Sequence, residues 1–354
     1  MVQNLHMRVL FVSPTFGDFG GMEFFVFALA SEIQKSGEAE TRILFKTSPD
    51  CHLKPQFEQA LNEAPCPVQF ATRLSHQLVK AIAWSDIVHM QNLSPDVIIA
   101  AKLLRKPVVS TIQNKNHATG TLHERLWIIC LRLLDRRWYN SRFVESTWDP
   151  KNRLRHSDVL PVISRLPNPS IFVEPQKRSG FIFLARWIAN KGLEELLQAY
   201  HAAKIKHANH PLILVGDGPL RLFVETWIKE NNVPNVSIKG FVSTDEKNRL
   251  IASSKWLVAP AKTREDLGLT PIEARSIGVP CIVTRDGGLP EAAGKHALLC
   301  EPGDVAGLQK CLEVAANMSE HDYIKLASST HEELKSSLKP LSCYLDEYKM
   351  LLGK

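Results

Sequence analysis

Apolar runs recur along this chain in a way that leaves few folds open. Short runs at residues 8–13, 41–45, 86–90, 107–112, 181–186, 211–215, 236–239, 255–259 and 280–284 are apolar through most of their length, not at alternate positions. A strand of that kind is buried on both faces, as in a parallel sheet covered by helices on each side. Amphipathic stretches such as 22–34 and 193–203 lie between the runs. Strand and helix alternating from end to end predict a doubly wound α/β architecture. One segment breaks the alternation. Residues 158–175 hold Pro161, Pro167, Pro169 and Pro175, with Asn168 between two of them. Prolines at that density suit neither a helix nor a central strand. The hinge between two domains is expected there, with residues 1–165 forming one Rossmann-like domain and 166–334 another. A chain of 354 residues is long enough for both. Ligands of such folds sit outside the carboxyl ends of the strands. Two such domains facing each other would share one cleft.

Chemistry concentrates in the second half, in Glu265-Asp-Leu-Gly-Leu-Thr-Pro-Ile-Glu273. Gly268 frees the backbone, and Pro271 suits the first helical position. This predicts a loop turning into a helix N-terminus, where free N–H groups and the positive dipole end receive an anion. Carboxylates on either side of that cradle suit a ligand with both phosphates and hydroxyls, such as a nucleotide sugar. Two ordinary acidic residues near a helix start give the same pattern. Arg186 and Lys191 follow the strand at 181–186 and precede a helix. They read either as solvated cations or as a diphosphate clamp, with arginine as the fork and lysine as the point charge.

These residues stand in a longer order: Phe181-Ile-Phe-Leu-Ala-Arg186, Lys191-Gly192, Leu212-Ile-Leu-Val-Gly216-Asp-Gly218-Pro219, Gly240-Phe241-Val242, and Gly278-Val-Pro-Cys-Ile-Val-Thr284 running to Gly287-Gly288-Leu-Pro290-Glu291. The order and spacing resemble the retaining GT-B glycosyltransferases of family 4, whose E-x7-E signature Glu265 and Glu273 match. The resemblance covers essentially the whole chain. It is closest from Arg186 to Glu291 and looser before residue 165.

The resemblance implies a GT-B fold and sugar transfer from a nucleoside-diphosphate sugar to an acceptor hydroxyl. A UDP-sugar is the first expectation and a GDP-sugar the second. The pathway would be polysaccharide, lipopolysaccharide, glycoconjugate or natural-product biosynthesis, and the acceptor a sugar, a lipid-linked molecule or another small molecule. Arg186 and Lys191 become the phosphate clamp, Glu273 the ribose ligand, and Glu265 a residue beside the transferred sugar. Leu267, Gly268 and Leu269 contact sugar and phosphates through their backbone. Gly240, Phe241 and Val242 hold the base edge. Gly20 and Gly21 form the glycine loop of the first domain. A C-terminal helix at about 335–354 crosses back to that domain. In this chain the apolar residues Leu334, Leu338, Leu341, Leu345 and Tyr348 predict one helix over 331–352. No cofactor is implied, and without a D-x-D motif at a strand end no metal is expected either. Two positions depart from the pattern. Ala185 replaces a glycine, which would narrow access to the phosphates. Gln113 stands where a histidine is usual, with His117 four residues on to take its place. His89, at the end of its strand, is expected either in the core or at the cleft. Glu23 reads as a helix-dipole partner before an acceptor contact. A nucleotide-sugar epimerase and a non-catalytic binding subunit of the same fold are the rival classes.

Bulk composition removes other classes. A net charge of +6 is moderate, and no aromatic-rich basic stripe or recognition motif points to nucleic acid. Seven scattered cysteines without a C-x-x-C pair suit reduced thiols in a cytoplasm, not a zinc site or a disulfide framework. No leader and no spanning helix are expected. Residues 122–139 alternate Leu126, Ile129, Cys130, Leu133 and Leu134 with Arg125, Arg132, Arg136 and Arg137. That pattern fits a domain helix with its apolar side buried. It also fits a basic amphipathic helix lying on an anionic membrane.

Overall fold

The computed structural model describes residues 7–117, 120–160, 163, 166–263 and 265–353. The chain divides into one unit of Met1–Ser164 with Lys339–Lys354 and a second of Arg165–Leu338. The expected proline-rich boundary falls partly on residues 161–162 and 164–165, outside the described residues.

In the first unit β1 (Met7–Pro14), β2 (Ala39–Lys46), β3 (Val68–Ala71), β4 (Ile87–Gln91), β5 (Val108–Ile112), β6 (Arg136–Tyr139) and β7 (Ser157–Val159) pair in parallel in the order β3-β2-β1-β4-β5-β6-β7. Side chains alternate between the two faces of a strand, and both faces of this sheet are covered. Val9 and Phe11 join one cluster with Phe25, Leu29 and Tyr348. Leu10 and Val12 join the other with Ile82, Val97 and Leu131. In the second unit β8 (Ser179–Leu184), β9 (Leu212–Val215), β10 (Val236–Gly240), β11 (Ser254–Ala259), β12 (Cys281–Thr284) and β13 (Leu298–Cys300) form a second parallel sheet in the order β10-β9-β8-β11-β12-β13. Phe181 and Phe183 face Leu196, Leu212 and Trp256. Ile182 faces Leu257, Ala274 and Cys281. Runs apolar through most of their length, and not at alternate positions, are thus the signature of two covered faces.

The C-terminal segment is not one helix. Glu320–Ser337 ends before Pro340, and a separate helix Cys343–Leu352 follows. Proline removes a backbone donor and ends the first helix. The second helix packs on the first unit through Tyr344, Leu345 and Tyr348, and Glu347 pairs with Arg136 at 3.0 Å. Beneath it lies His89, which is wholly buried and belongs to the core instead of facing a cleft. Its ring nitrogens meet the Tyr348 hydroxyl at 2.5 Å and the Thr111 hydroxyl at 2.7 Å. A neutral imidazole donates from one nitrogen and accepts at the other, so both hydroxyls are satisfied.

Burial without a charged partner pushes the His89 pKa from 6.5 down to about 3. The unfolded chain therefore binds a proton that the folded chain refuses between those two values. Stability is unaffected above the window and falls as pH drops through it, by up to about 1.4 kcal/mol per pH unit. His89→Gln, which keeps a donor and an acceptor but cannot titrate, is expected to melt with less acid sensitivity between about pH 6.5 and 4.5. Equal acid sensitivity in both proteins would exclude His89 as the source. His89→Leu orphans two hydroxyls and is expected to lose about 1–3 kcal/mol at neutral pH.

Candidate active site

The chain order of the second sheet reverses between β8 and β11, which are neighbours in space and distant in sequence. Such a switch point opens a crevice at the carboxyl ends of the strands. The loops leaving β8 and β11 bring Lys191 and Glu265 together there, Nζ to Oε2 at 2.6 Å, with about a fifth to a quarter of each side chain exposed. Gly192 makes the approach possible. Its φ is +74°, and a Cβ there would lie 1.8 Å from the Pro260 carbonyl oxygen in the loop after β11. Only glycine fits both demands, which explains the Lys-Gly pair. Arg186 is exposed, and among the described residues its guanidinium makes no hydrogen bond or ion pair. The Ala185 side chain packs against the core cluster of Phe181 and Phe183.

The Glu265 backbone is gripped by the loop after β12. Its N–H donates to the Asp286 carboxylate at 2.7 Å, and its carbonyl accepts from the Gly288 N–H at 2.7 Å. A Cβ on Gly287 would lie 2.0 Å from the Glu265 carbonyl oxygen, and one on Gly288 would lie 2.5 Å from that of Asp266. The glycine pair therefore exists to let two loops touch. Gly268, with φ +93°, opens the helix Leu269–Ser276. Pro271 is the third residue of that helix, not the first. This is still within the turn whose N–H groups lack intrahelical partners. Glu273 is the fifth residue, one step past the expected first turn. It is largely buried, and its carboxylate meets the Lys247 ammonium at 2.6 Å. Leu267 is buried and Leu269 partly exposed.

Gly240 ends β10 and accepts a hydrogen bond from the Gly216 N–H at 2.8 Å. Phe241 is 84% exposed, which excludes a core role and leaves its ring free at the end of the strand. Val242 packs on the Ile182 face.

In the first unit Gly20 and Gly21 open the helix Gly21–Lys35, and the Gly20 N–H donates to the Glu23 carboxylate at 3.0 Å. Glu23 is thus a cap. Its burial raises its pKa. Gln113 follows β5. Its side-chain amide donates to Gln91 Oε1 at 2.8 Å and its backbone N–H to Asn92 Oδ1 at 2.8 Å. His117 is exposed, and its imidazole has no partner among the described residues. Gln113 and His117 are not brought into contact by any hydrogen bond.

Sequence reasoning missed Lys247, Asp286, Gln91 and Asn92. Lys247 lies in an ordinary charged stretch, Thr244-Asp-Glu-Lys-Asn-Arg249, and only the fold brings it to Glu273. Asp286 directly precedes the glycine pair and carried a readable signal. Among the described residues no cluster of three His, Cys, Asp or Glu side chains is disposed to hold a metal ion, and no helix is long and apolar enough to cross a membrane.

Residues 165–325 match the model of the family described as glycosyl transferases group 1. The chain is 30% identical over 197 residues to a 2-deoxystreptamine N-acetyl-D-glucosaminyltransferase of Niallia circulans, covering 54% of this chain and 49% of that one. It is 31% identical over 155 residues to an N-acetyl-alpha-D-glucosaminyl L-malate synthase of Bacillus anthracis, covering 41% and 39%. The chain spans about half the length, or less, of the curated relatives it matches. The crystal structure of Anabaena HepE in complex with UDP superposes with a TM-score of 0.79 at 16% identity over 98% of this chain and 100% of that one. TarM superposes with 0.73 at 11% identity over the full length of both. At these identities the structural likeness speaks to the fold, which is GT-B, and the sequence match places the second unit in the glycosyl transferases group 1 family.

Proposed function

We propose that the chain is a retaining glycosyltransferase that moves a sugar from a nucleoside-diphosphate sugar to an acceptor hydroxyl. The observation that carries this reading is the Lys191–Glu265 pair across the switch point, beside the start of the Glu273 helix. Lys191 and Arg186 neutralise the departing diphosphate as charge develops on it. Free N–H groups of Leu269 and its neighbours add dipole stabilisation. Glu273 accepts from ribose hydroxyls, and Glu265 faces the sugar. Among the described residues no side chain is placed as an obvious nucleophile, so the acceptor attacks from the face the diphosphate leaves, and a phosphate oxygen takes its proton. Gln113 positions the acceptor instead of exchanging protons, since an amide does not titrate. The reaction uses no metal. Uracil is the favoured base, supported by the UDP complex of the structural relative. Mannosyltransferases named as GDP-mannose-dependent also match this chain over part of its length, so the base is a question for binding.

A thermal-shift panel of UDP- and GDP-sugars tests the reading. A true donor at about a hundred times its Kd adds about 2.7 kcal/mol, a shift of several degrees. Incubating that donor alone and then with candidate acceptors completes the test. Transfer with retained anomeric configuration supports the proposal. Conversion of the donor to a second nucleotide sugar without acceptor would show an epimerase, and no response to any nucleotide would remove the donor site altogether.

A further inference from the structure

The helix Leu122–Leu133 has two apolar faces. One is core: Cys130 and Leu131 are buried, as is Leu134 just beyond. Arg137, itself buried, fastens that end by donating to the Leu131 and Leu134 carbonyls at 3.1 and 2.8 Å. The sequence pattern counted Arg136 and Arg137 as part of this helix. They lie instead in β6, Arg137 turned inward and Arg136 paired with Glu347. The other apolar face is a row of Leu122, Leu126, Ile129 and Leu133, spaced to share one side of a helix and exposed from 41% at Leu126 to 82% at Leu122. The helix already has a complete buried side, so this row is surplus to the fold.

The surface extends further. The helix Pro95–Leu103 packs alongside and adds exposed Ile99 and Leu103. Arg125 and Arg132 flank the row, and Arg105 lies exposed on the turn after the adjoining helix. The acidic groups here are engaged elsewhere. Asp96 is bound to Lys46, Glu124 turns back to Asn116 and the Gly120 N–H, and Asp135 pairs with Lys102. An exposed aliphatic patch with a basic rim, and with no free acid among the described residues, is complementary to an anionic, apolar partner. A second copy fits poorly, because a two-fold contact would set the basic rim against itself.

We propose that this face of the first unit, centred on Leu122, Leu126, Ile129 and Leu133, docks on an anionic lipid bilayer. The aliphatic row enters the interface, and Arg125 and Arg132 meet the head groups. This goes beyond the transferase reading and does not depend on it.

The test is cosedimentation of the full chain with phosphatidylcholine vesicles, with and without about one-third phosphatidylglycerol. The protein is expected to bind the anionic vesicles preferentially and to weaken as salt shortens the screening length. Leu126→Asp with Ile129→Asp should lower the partition coefficient at least about tenfold. Arg125→Ser with Arg132→Ser should lower it about fivefold per charge on anionic vesicles only. All four positions are exposed, so unchanged melting temperatures are expected to accompany these losses. Leu122→Asp with Leu133→Asp provides a second aliphatic pair should the first destabilise. Wild-type protein that ignores anionic vesicles at low salt, or variants that bind as wild type, would overturn the proposal. A dimer broken by the same substitutions, with no vesicle binding, would reassign the face to a second copy.

Discussion

Arg186→Ala and Lys191→Ala are each expected to lower turnover about a hundredfold or more, on the scale of removing one donor from a site of developing negative charge. The two variants should differ in every other respect. Arg186 has no intramolecular partner among the described residues, so its removal disturbs nothing in the free protein and leaves the melting temperature unchanged. Lys191 holds Glu265 at 2.6 Å, so its removal strands a carboxylate. That group is a quarter exposed and can be solvated, and the stability loss stays small. Arg186→Lys keeps the charge and loses the fork, and an intermediate rate is expected. Steady-state kinetics with melting curves on the same preparations checks all three. In the proposed mechanism fixed cations supply the neutralisation, so EDTA should leave the wild-type rate unchanged. Activity abolished by EDTA and restored by magnesium would transfer that role to a metal and sink the clamp.

The central strands were legible because burial on two faces removes the alternation of apolar and polar positions, although buried His89, Gln91, Ser110 and Thr111 lie within them. β4 and β5 are buried at every residue. The strands that escaped were short and peripheral. β7 and β13 have three residues each, too few for any periodicity, and β3 is a four-residue edge strand with only one buried residue. β6 escaped for another reason: its two arginines continue the charge pattern of the preceding helix, and only pairing with β5 and β7 reveals a strand. At the site, Glu265, Glu273 and Gly268 could be found because backbone demands and chemistry fall in one short segment. The Gly287-Gly288 pair was visible, but its purpose was not. Its role is defined by a clash with Glu265, which lies in another loop. Lys247 could not be found at all, since a lysine on a polar helix has the same sequence signal whether it faces water or a buried carboxylate.

Both signature carboxylates thus sit against a lysine in the free protein, and their consequences for nucleotide binding are expected to be opposite. Glu265 neutralises Lys191, a member of the proposed clamp. Glu265→Gln releases that ammonium, so affinity for the free nucleoside diphosphate should stay level or rise while turnover falls. Glu273 is more buried, and its partner Lys247 comes from the helix Thr244–Ser253, outside the clamp. Lys247 takes one carboxylate oxygen, which in the proposed role leaves the other for the ribose hydroxyls. Glu273→Gln loses charge-assisted hydrogen bonds worth about 1.5–3 kcal/mol, so diphosphate affinity should drop about tenfold to a hundredfold. Lys247→Met should weaken the same affinity, and the double variant should lose less than the sum of the two, because the pair acts as one unit. Calorimetric titration of the nucleoside diphosphate into the four variants separates the roles, with no acceptor and no turnover to confuse binding with chemistry. Equal losses in Glu265→Gln and Glu273→Gln would mean that both carboxylates bind the nucleotide. Additive losses in Lys247→Met and Glu273→Gln would show that Lys247 does not act through Glu273.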